Sequence, residues 1–205
     1  MKKSHIIFPL VFVGLLLGIS MIRPASALEP ATVNITPSTL TVDKDTQFNV
    51  TVTITNATDV FGWQIVVLFN ASIVQCVNAY VPADNIFGSS YIAPSPQINN
   101  VAGSVVYGAN AAPGTPNFNG SGTLCIIVFN ATSLGDTQLS FDADTTHTWY
   151  SYIYNDNIEE LPAIFEPATV TVIPEFSAAL LIVAFASLTF IVAVFKKKFN
   201  ATSKS

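Results

Sequence analysis

Apolar and polar residues alternate with a period of two through the middle of the chain. Over residues 47–55 every second side chain is apolar, beginning with Phe48, and most of those between are Asn or Thr. This is the pattern of a β-strand with one buried face. Further strand-like runs cover residues 40–42, 61–69, 73–78, 104–109, 123–130, 138–141, 149–154 and 169–173. Gly, Pro and Asn clusters separate them. The pattern predicts an all-β fold, an antiparallel sandwich of eight to ten strands.

Residues 177–195 are uncharged and mostly apolar, and Lys196, Lys197 and Lys198 follow directly. At about 1.5 Å per residue, such a helix nearly crosses the hydrocarbon core of a bilayer. Lysines beside a membrane helix mark its cytoplasmic end. We therefore predict a transmembrane helix within 174–195 and a cytoplasmic tail over 196–205.

The N-terminus has the features of a secretory signal. Lys2 and Lys3 precede an apolar stretch, and Ala25-Ser26-Ala27 supplies small residues at a cleavage position. We predict a signal peptide over 1–27, with an uncleaved anchor as the alternative. A single-pass protein with residues 28–173 as one domain outside the cell membrane is expected.

The outer segment is acidic. All thirteen Asp and Glu residues of the chain lie between Glu29 and Glu175, where Lys44 is the only Lys or Arg. Such a charge excludes nucleic acid as a partner. Six N-x-S/T triplets in this segment predict a glycosylated surface protein. Their acceptors are Asn34, Asn49, Asn56, Asn70, Asn119 and Asn130.

Four blocks resemble conserved blocks of the cohesin family, in the family's order. DTQFNVTV at 45–52 resembles the G-D-T-F-x-V-x-V opening, and FGWQIVVLFNASIV at 61–74 resembles a strand and turn. GTLCIIVF at 122–129 is similar to G-T-L-a-t-i-t-F, and NDNIEELP at 155–162 with ATVTV at 168–172 is similar to the closing block. The turn Asp-Pro of the family is Asn70-Ala71 here, and a turn Gly is Ile158.

The cohesin resemblance implies a nine-stranded jelly-roll, related to carbohydrate-binding modules, which binds dockerin domains on one sheet. Cohesins occur in polysaccharide-degrading assemblies and as isolated surface domains, many of them archaeal. Pro174-Glu175-Phe176 before the apolar tail resembles an archaeal sorting signal, which implies that the helix is either retained or exchanged for a lipid anchor.

Two strands place aliphatic side chains on the side opposite the expected core. If Trp63 faces inward, Gln64, Val66 and Leu68 face outward, and by the same alternation Ile126 and Val128 face outward. The resemblance implies that these strands are neighbours in the dockerin-binding sheet. We therefore expect a single exposed apolar patch, unless a loop such as 82–100 folds over it.

Other side chains suggest further ligands. Trp149, Tyr150 and Tyr152, with Tyr154 on the same face as the other tyrosines, could stack on sugar rings or lie half-buried. Five acids in two late turns could gather calcium or simply be solvated. They are Asp142, Asp144, Asp156, Glu159 and Glu160. No other cofactor or metal is expected.

Cys76 and Cys125 are the only cysteines, and alternation turns both toward the core. The cell exterior permits a disulfide, which we favour over two buried thiols. No catalytic motif appears, and once the signal is removed His147 is the only histidine. The sequence thus favours a non-enzymatic surface module that binds a dockerin. A carbohydrate-binding module and a structural envelope or adhesion protein are the alternatives.

Overall fold

The computed structural model describes residues 29–175 together with Thr189 and Val192. Residues 29–175 contain fourteen strands and no helix. They are β1 Ala31–Thr36, β2 Thr39–Asp43, β3 Gln47–Val60, β4 Gly62–Leu68, β5 Val74–Tyr80, β6 Tyr91–Ile92, β7 Gln97–Asn99, β8 Ser104–Ala111, β9 Phe118–Ala131, β10 Gly135–Phe141, β11 Tyr152–Tyr154, β12 Glu160–Leu161, β13 Ala163–Glu166 and β14 Ala168–Ile173.

The strands form two sheets, which confirms the predicted all-β sandwich, although fourteen strands are present where eight to ten were expected. The small sheet has the order β13-β1-β3-β9-β5. The large sheet has the order β12-β11-β4-β10-β14-β2, with β8 also paired to β4 and the short strands β6 and β7 paired to β8. Pairing is antiparallel except for β1 with β13 and β2 with β14.

The core lies between the two sheets. On β4, Trp63, Ile65 and Val67 are buried, and on β9, Ile127 and Phe129 are buried. Alternation therefore identified the inward face of both strands correctly. Burying side chains of this size contributes about 1.5–3 kcal/mol each.

One edge of β4 is completed by two separate strands. Ser140 and Phe141 of β10 pair with the end of β4, and β11 pairs with its beginning. Residues 142–151 leave the sheet between them. Asp142 N donates to Val66 O at 2.9 Å, and Val66 N donates to Ser151 Oγ at 2.9 Å. The loop therefore provides hydrogen-bond partners for the backbone of β4 where no strand is paired with this edge.

Both departures from the cohesin turn residues are accommodated. Asn70 Oδ1 accepts from Ser72 N at 3.0 Å, which is the turn hydrogen bond that an Asp would also make. Ile158 adopts a φ of 63°, a left-handed conformation that is unfavourable for a β-branched residue. The surrounding turn is fixed by Asn155, whose Oδ1 accepts from the backbone N–H groups of Asn157 and Glu159.

Ile158→Gly should therefore stabilise the domain. Glycine avoids the left-handed penalty of about 1–2 kcal/mol, and its greater freedom in the unfolded chain offsets part of that gain. We expect a net increase of about 1 kcal/mol in the free energy of unfolding, measured by chemical denaturation. The side chain is 80% exposed, so little packing is lost. An unchanged or lower stability would show that the turn tolerates isoleucine without strain.

The predicted disulfide is wrong in this structure, in which Cys76 and Cys125 are free, buried thiols. The strand register explains why. Cys76 is the partner of Phe129, four positions along β9 from Cys125. Four residues of strand span about 13 Å, about twice the Cα separation that a disulfide allows. Burial raises the pKa of the Cys76 thiol to about 12 and also raises the pKa of Cys125.

Neither thiol should react with an alkylating reagent while the protein is folded, because burial keeps both protonated and inaccessible. Unfolding without a reductant should allow both to be alkylated, which intact-mass measurement detects as two added groups. A mass that changes only after reduction would instead establish a disulfide.

The signal peptide, the membrane helix, the cytoplasmic tail and Phe176 of the sorting motif lie outside the described residues, apart from Thr189 and Val192. Pro174 and Glu175 directly follow β14. Among the residues that are described, no helix has the length and apolar character needed to span a membrane.

Candidate functional site

The expected single apolar patch does not form, because its residues belong to different sheets. Val66 and Leu68 lie on β4, which pairs with β8, β10 and β11. Ile126 and Val128 lie on β9, which pairs with β3 and β5. The outward faces of the two strands therefore point to opposite sides of the sandwich. The predicted outward direction of these residues is correct, but the expectation that the two strands are neighbours in one sheet is wrong.

On the large sheet, the predicted residues differ in accessibility. Val66 is only 4% exposed, at the base of the 142–151 loop that binds its backbone, whereas Leu68 is 37% exposed. Gln64 is half-buried, and its Nε2 donates to Tyr150 O at 2.9 Å. Of the predicted aliphatic pair on β4, only Leu68 is thus open to a partner.

On the small sheet, Ile126 and Val128 are half-buried among polar neighbours. Tyr80 of β5 is opposite Ile126, and Asn49 of β3 is opposite Val128. Asn49 is one of the predicted glycan acceptors, and its side chain shares the outer face with Val128. A glycan there would cover part of this apolar surface.

The predicted glycan acceptors are distributed unequally between the sheets. Five of them lie on strands of the small sheet, and the sixth, Asn70, lies in the turn after β4. No strand of the large sheet carries an N-x-S/T triplet. The five are Asn34 on β1, Asn49 and Asn56 on β3, and Asn119 and Asn130 on β9.

A groove of about 240 Å3 crosses the outer face of the large sheet. Its floor is formed by β4 and β8, with Gln64, Val106 and Gly108. One wall comes from the connection between β6 and β7, and the other from the aromatic residues around β11. The wall residues are Ile92, Pro94, Ser95 and Gln97 on one side and Trp149, Tyr152 and Tyr154 on the other, with Asn110 at one end of β8.

The three tyrosines form a ladder. The ring centroids of Tyr150 and Tyr152 are 5.0 Å apart, and those of Tyr152 and Tyr154 are 5.5 Å apart. Tyr150 donates a short hydrogen bond to Glu160 and lines a neighbouring depression instead of the groove. Of the predicted stacking residues, Trp149 and Tyr152 therefore line the groove and Tyr150 does not.

Glycines allow the aromatic wall to lie close to the sheet. A Cβ atom on Gly62 would come within 2.5 Å of the Tyr154 ring. The absence of a side chain there lets the Tyr154 hydroxyl reach Asn110 Oδ1, to which it donates a short hydrogen bond. The position of Gly62 opposite Tyr154 follows from the strand pairing. Sequence reasoning did not find Asn110 or the β6–β7 wall, because both lie in regions that read as loops.

The five acids considered for calcium fall into two separate turns. Asp142 and Asp144 lie in the loop after β10, and the other three lie in the turn and strand after β11. Internal hydrogen bonds occupy several of these carboxylates, including Asp144 Oδ1, which accepts from Thr146 N and Oγ1. Among the described residues, no group of three or more His, Cys, Asp or Glu side chains is placed to hold a metal ion.

The pKa of the His147 imidazole should lie above its ordinary value. Its Nδ1 lies 2.7 Å from Asp142 Oδ2, and this hydrogen bond raises the pKa of the imidazole. The stabilising contact is therefore complete below the ordinary pKa and is lost as the pH rises through the raised value. In an NMR titration, Asp142→Asn should lower the pKa of His147, whereas Asp84→Asn should not. An equal pKa in wild type and Asp142→Asn would contradict this contact.

Neither a protein-family model nor a curated protein sequence matches the chain. Solved structures do match. A non-cellulosomal cohesin from Archaeoglobus fulgidus is 14% identical, with a TM-score of 0.55 over 73% of this chain and 96% of that one. A type II cohesin domain from Acetivibrio cellulolyticus is 14% identical, with a TM-score of 0.57 over 69% of this chain and 95% of that one.

A third match comes from a complex. The type I cohesin–dockerin complex Coh-OlpA–Doc918 from Clostridium thermocellum contains a chain that is 11% identical, with a TM-score of 0.55 over 71% of this chain and 100% of that one. At these identities the similarity concerns the fold. The described domain thus has the fold of cohesin domains, as the four sequence blocks implied.

Proposed function

We propose that this protein is a non-catalytic docking module for a dockerin-type protein domain. The observation that carries the proposal is the cohesin fold, which spans 95–100% of the three solved chains reported above. Several similar structures are cohesin–dockerin complexes. The acidic surface and the sequence-derived cell-surface setting fit a protein partner better than nucleic acid.

The outer face of the large sheet is the docking face in this proposal. Leu68 is paired with Ser104 on one side and Ser140 on the other, so short side chains flank an exposed leucine. Val106 lies on the same face, two residues beyond Ser104 along β8. We call these four residues the Leu68 surface. No strand of the large sheet carries a predicted glycan acceptor, so the Leu68 surface stays open to a partner. Glycans on the small sheet would obstruct a large partner there.

The setting of the module is also part of the proposal. The signal-like N-terminus and the apolar C-terminal segment followed by lysines support display outside a single-pass membrane anchor or its lipid replacement. Because residues 174–176 join the domain directly to that segment, the module would be held close to the membrane.

Leu68→Arg should weaken binding of a cognate dockerin about tenfold or more. The substitution places a charge where an apolar contact would be buried, and the exposed site tolerates it in the folded protein. Purified dockerin modules encoded in the same genome are titrated one at a time against the full-length protein in detergent, with calorimetry as the readout.

Ile126→Arg is the matched control, because it changes a half-buried aliphatic residue on the outer face of the other sheet. It should leave dockerin affinity unchanged. Loss of binding with Ile126→Arg but not with Leu68→Arg would move docking to the small sheet. No binding by any dockerin module would refute the function itself.

A further inference from the structure

We propose that the groove on the large sheet binds a neutral saccharide chain. This site does not rest on the docking function, and it shares only Val106 with the Leu68 surface. The groove combines what a sugar ring requires: flat aromatic surface for its apolar C–H face, and amide groups for its hydroxyls. The groove and the Leu68 surface both lie on the outer face of the large sheet, and Gln64 on the groove floor is four residues from Leu68, about 13 Å along β4.

The aromatic side of the groove is open to a ligand. Trp149 is 48% exposed, so much of its indole ring is accessible to a ligand in the groove. Tyr152 and Tyr154 continue the same wall at a ring spacing of 5.5 Å. The wall is therefore long enough to contact more than one ring of a chain.

Amide side chains supply the polar contacts. Gln64 uses its Nε2 to hold the backbone of Tyr150, which leaves its carbonyl oxygen as an acceptor in the groove. Asn110 uses its Oδ1 to accept from Tyr154, which leaves its amide N–H groups as donors. Gln97 adds a third amide on the opposite wall. The amides of Gln64 and Asn110 are held by these hydrogen bonds before any ligand arrives, which lowers the entropic cost of binding.

Gly108 makes the floor accessible. It lies opposite Gln64 on the neighbouring strand, and a Cβ atom at this position would approach Trp63 O to 2.7 Å. The strands thus present their backbone at the bottom of the groove, between the β6–β7 wall and the aromatic wall. A ring can lie deeper there than over an ordinary pair of side chains.

Charge selects a neutral ligand. Lys44 is the only Lys or Arg between residues 29 and 175, and it lies just after β2, outside the groove lining. The groove residues are themselves uncharged, and Glu160 lies beside the aromatic ladder. An anionic polysaccharide would meet repulsion without a cation to bind it, whereas a neutral glycan would not.

The two tryptophans provide a direct assay. Trp149 is exposed in the groove, whereas Trp63 is 1% exposed and already shielded from water, so a ligand-dependent blue shift of tryptophan emission is expected from Trp149. The full-length protein in detergent is titrated with cellohexaose, xylohexaose, mannohexaose and maltohexaose. A hexamer of galacturonic acid serves as the charged comparison. We expect a saturable blue shift with at least one neutral hexasaccharide and none with the acidic one.

Variants test the site itself. Tyr152→Ala should weaken saccharide binding about tenfold, and Trp149→Ala, followed by calorimetry because its signal is lost, should do the same. Tyr80→Ala is the matched control, an exposed tyrosine on the outer face of the small sheet. Leu68→Arg should also leave saccharide affinity unchanged, so this result is separable from the docking test.

Three outcomes would overturn the proposal. One is the absence of binding by every neutral hexasaccharide at millimolar concentration. Another is equal affinity in wild type, Tyr152→Ala and Trp149→Ala. The last is a preference for the acidic hexamer.

Discussion

The burial of one row of side chains from each sheet in a shared core determines which residues are available for binding. Trp63 anchors the large sheet in this core and Phe129 anchors the small one, and both are almost fully buried. Because side chains on a strand alternate between faces, fixing Trp63 inward forces Gln64 and Leu68 outward. A shift of one residue in β4 would bury the groove floor and expose the core, at a cost of several kcal/mol.

The two outer faces consequently have different chemistry. The small sheet presents Thr and Asn, including five of the predicted glycan acceptors. The large sheet presents Leu68 at one end of β4 and an aromatic groove at the other. The strands of the large sheet hold Leu68 and the groove floor in place, while the connection between β6 and β7 and the residues around β11 form the groove walls. This is the usual arrangement by which loops carry recognition on a stable scaffold.

The loop of residues 142–151 determines much of the outer face of the large sheet. It occupies the gap between β10 and β11, satisfies the backbone of Val66 and carries Trp149 and Tyr150 to the sheet. The same loop therefore keeps Val66 away from solvent and contributes Trp149 to one wall of the groove. His147 and Asp142 are hydrogen-bonded within it, and this contact raises the pKa of the imidazole.

The sequence alone determined the fold class, most of the long strands and the inward faces of β3, β4 and β9, because period-two alternation is a local property of the chain. It also located the acidic charge and the stripe of tyrosines. It missed β1 and the short strands β6, β7, β12 and β13, which are brief or lie in loop-like composition. Only the tertiary structure decided that β4 and β9 belong to opposite sheets. It also decided that Cys76 is four positions out of register with Cys125. Finally, it placed residues 92–97 on the groove wall opposite Trp149. Those facts depend on pairing between segments far apart in the chain, which no local pattern encodes.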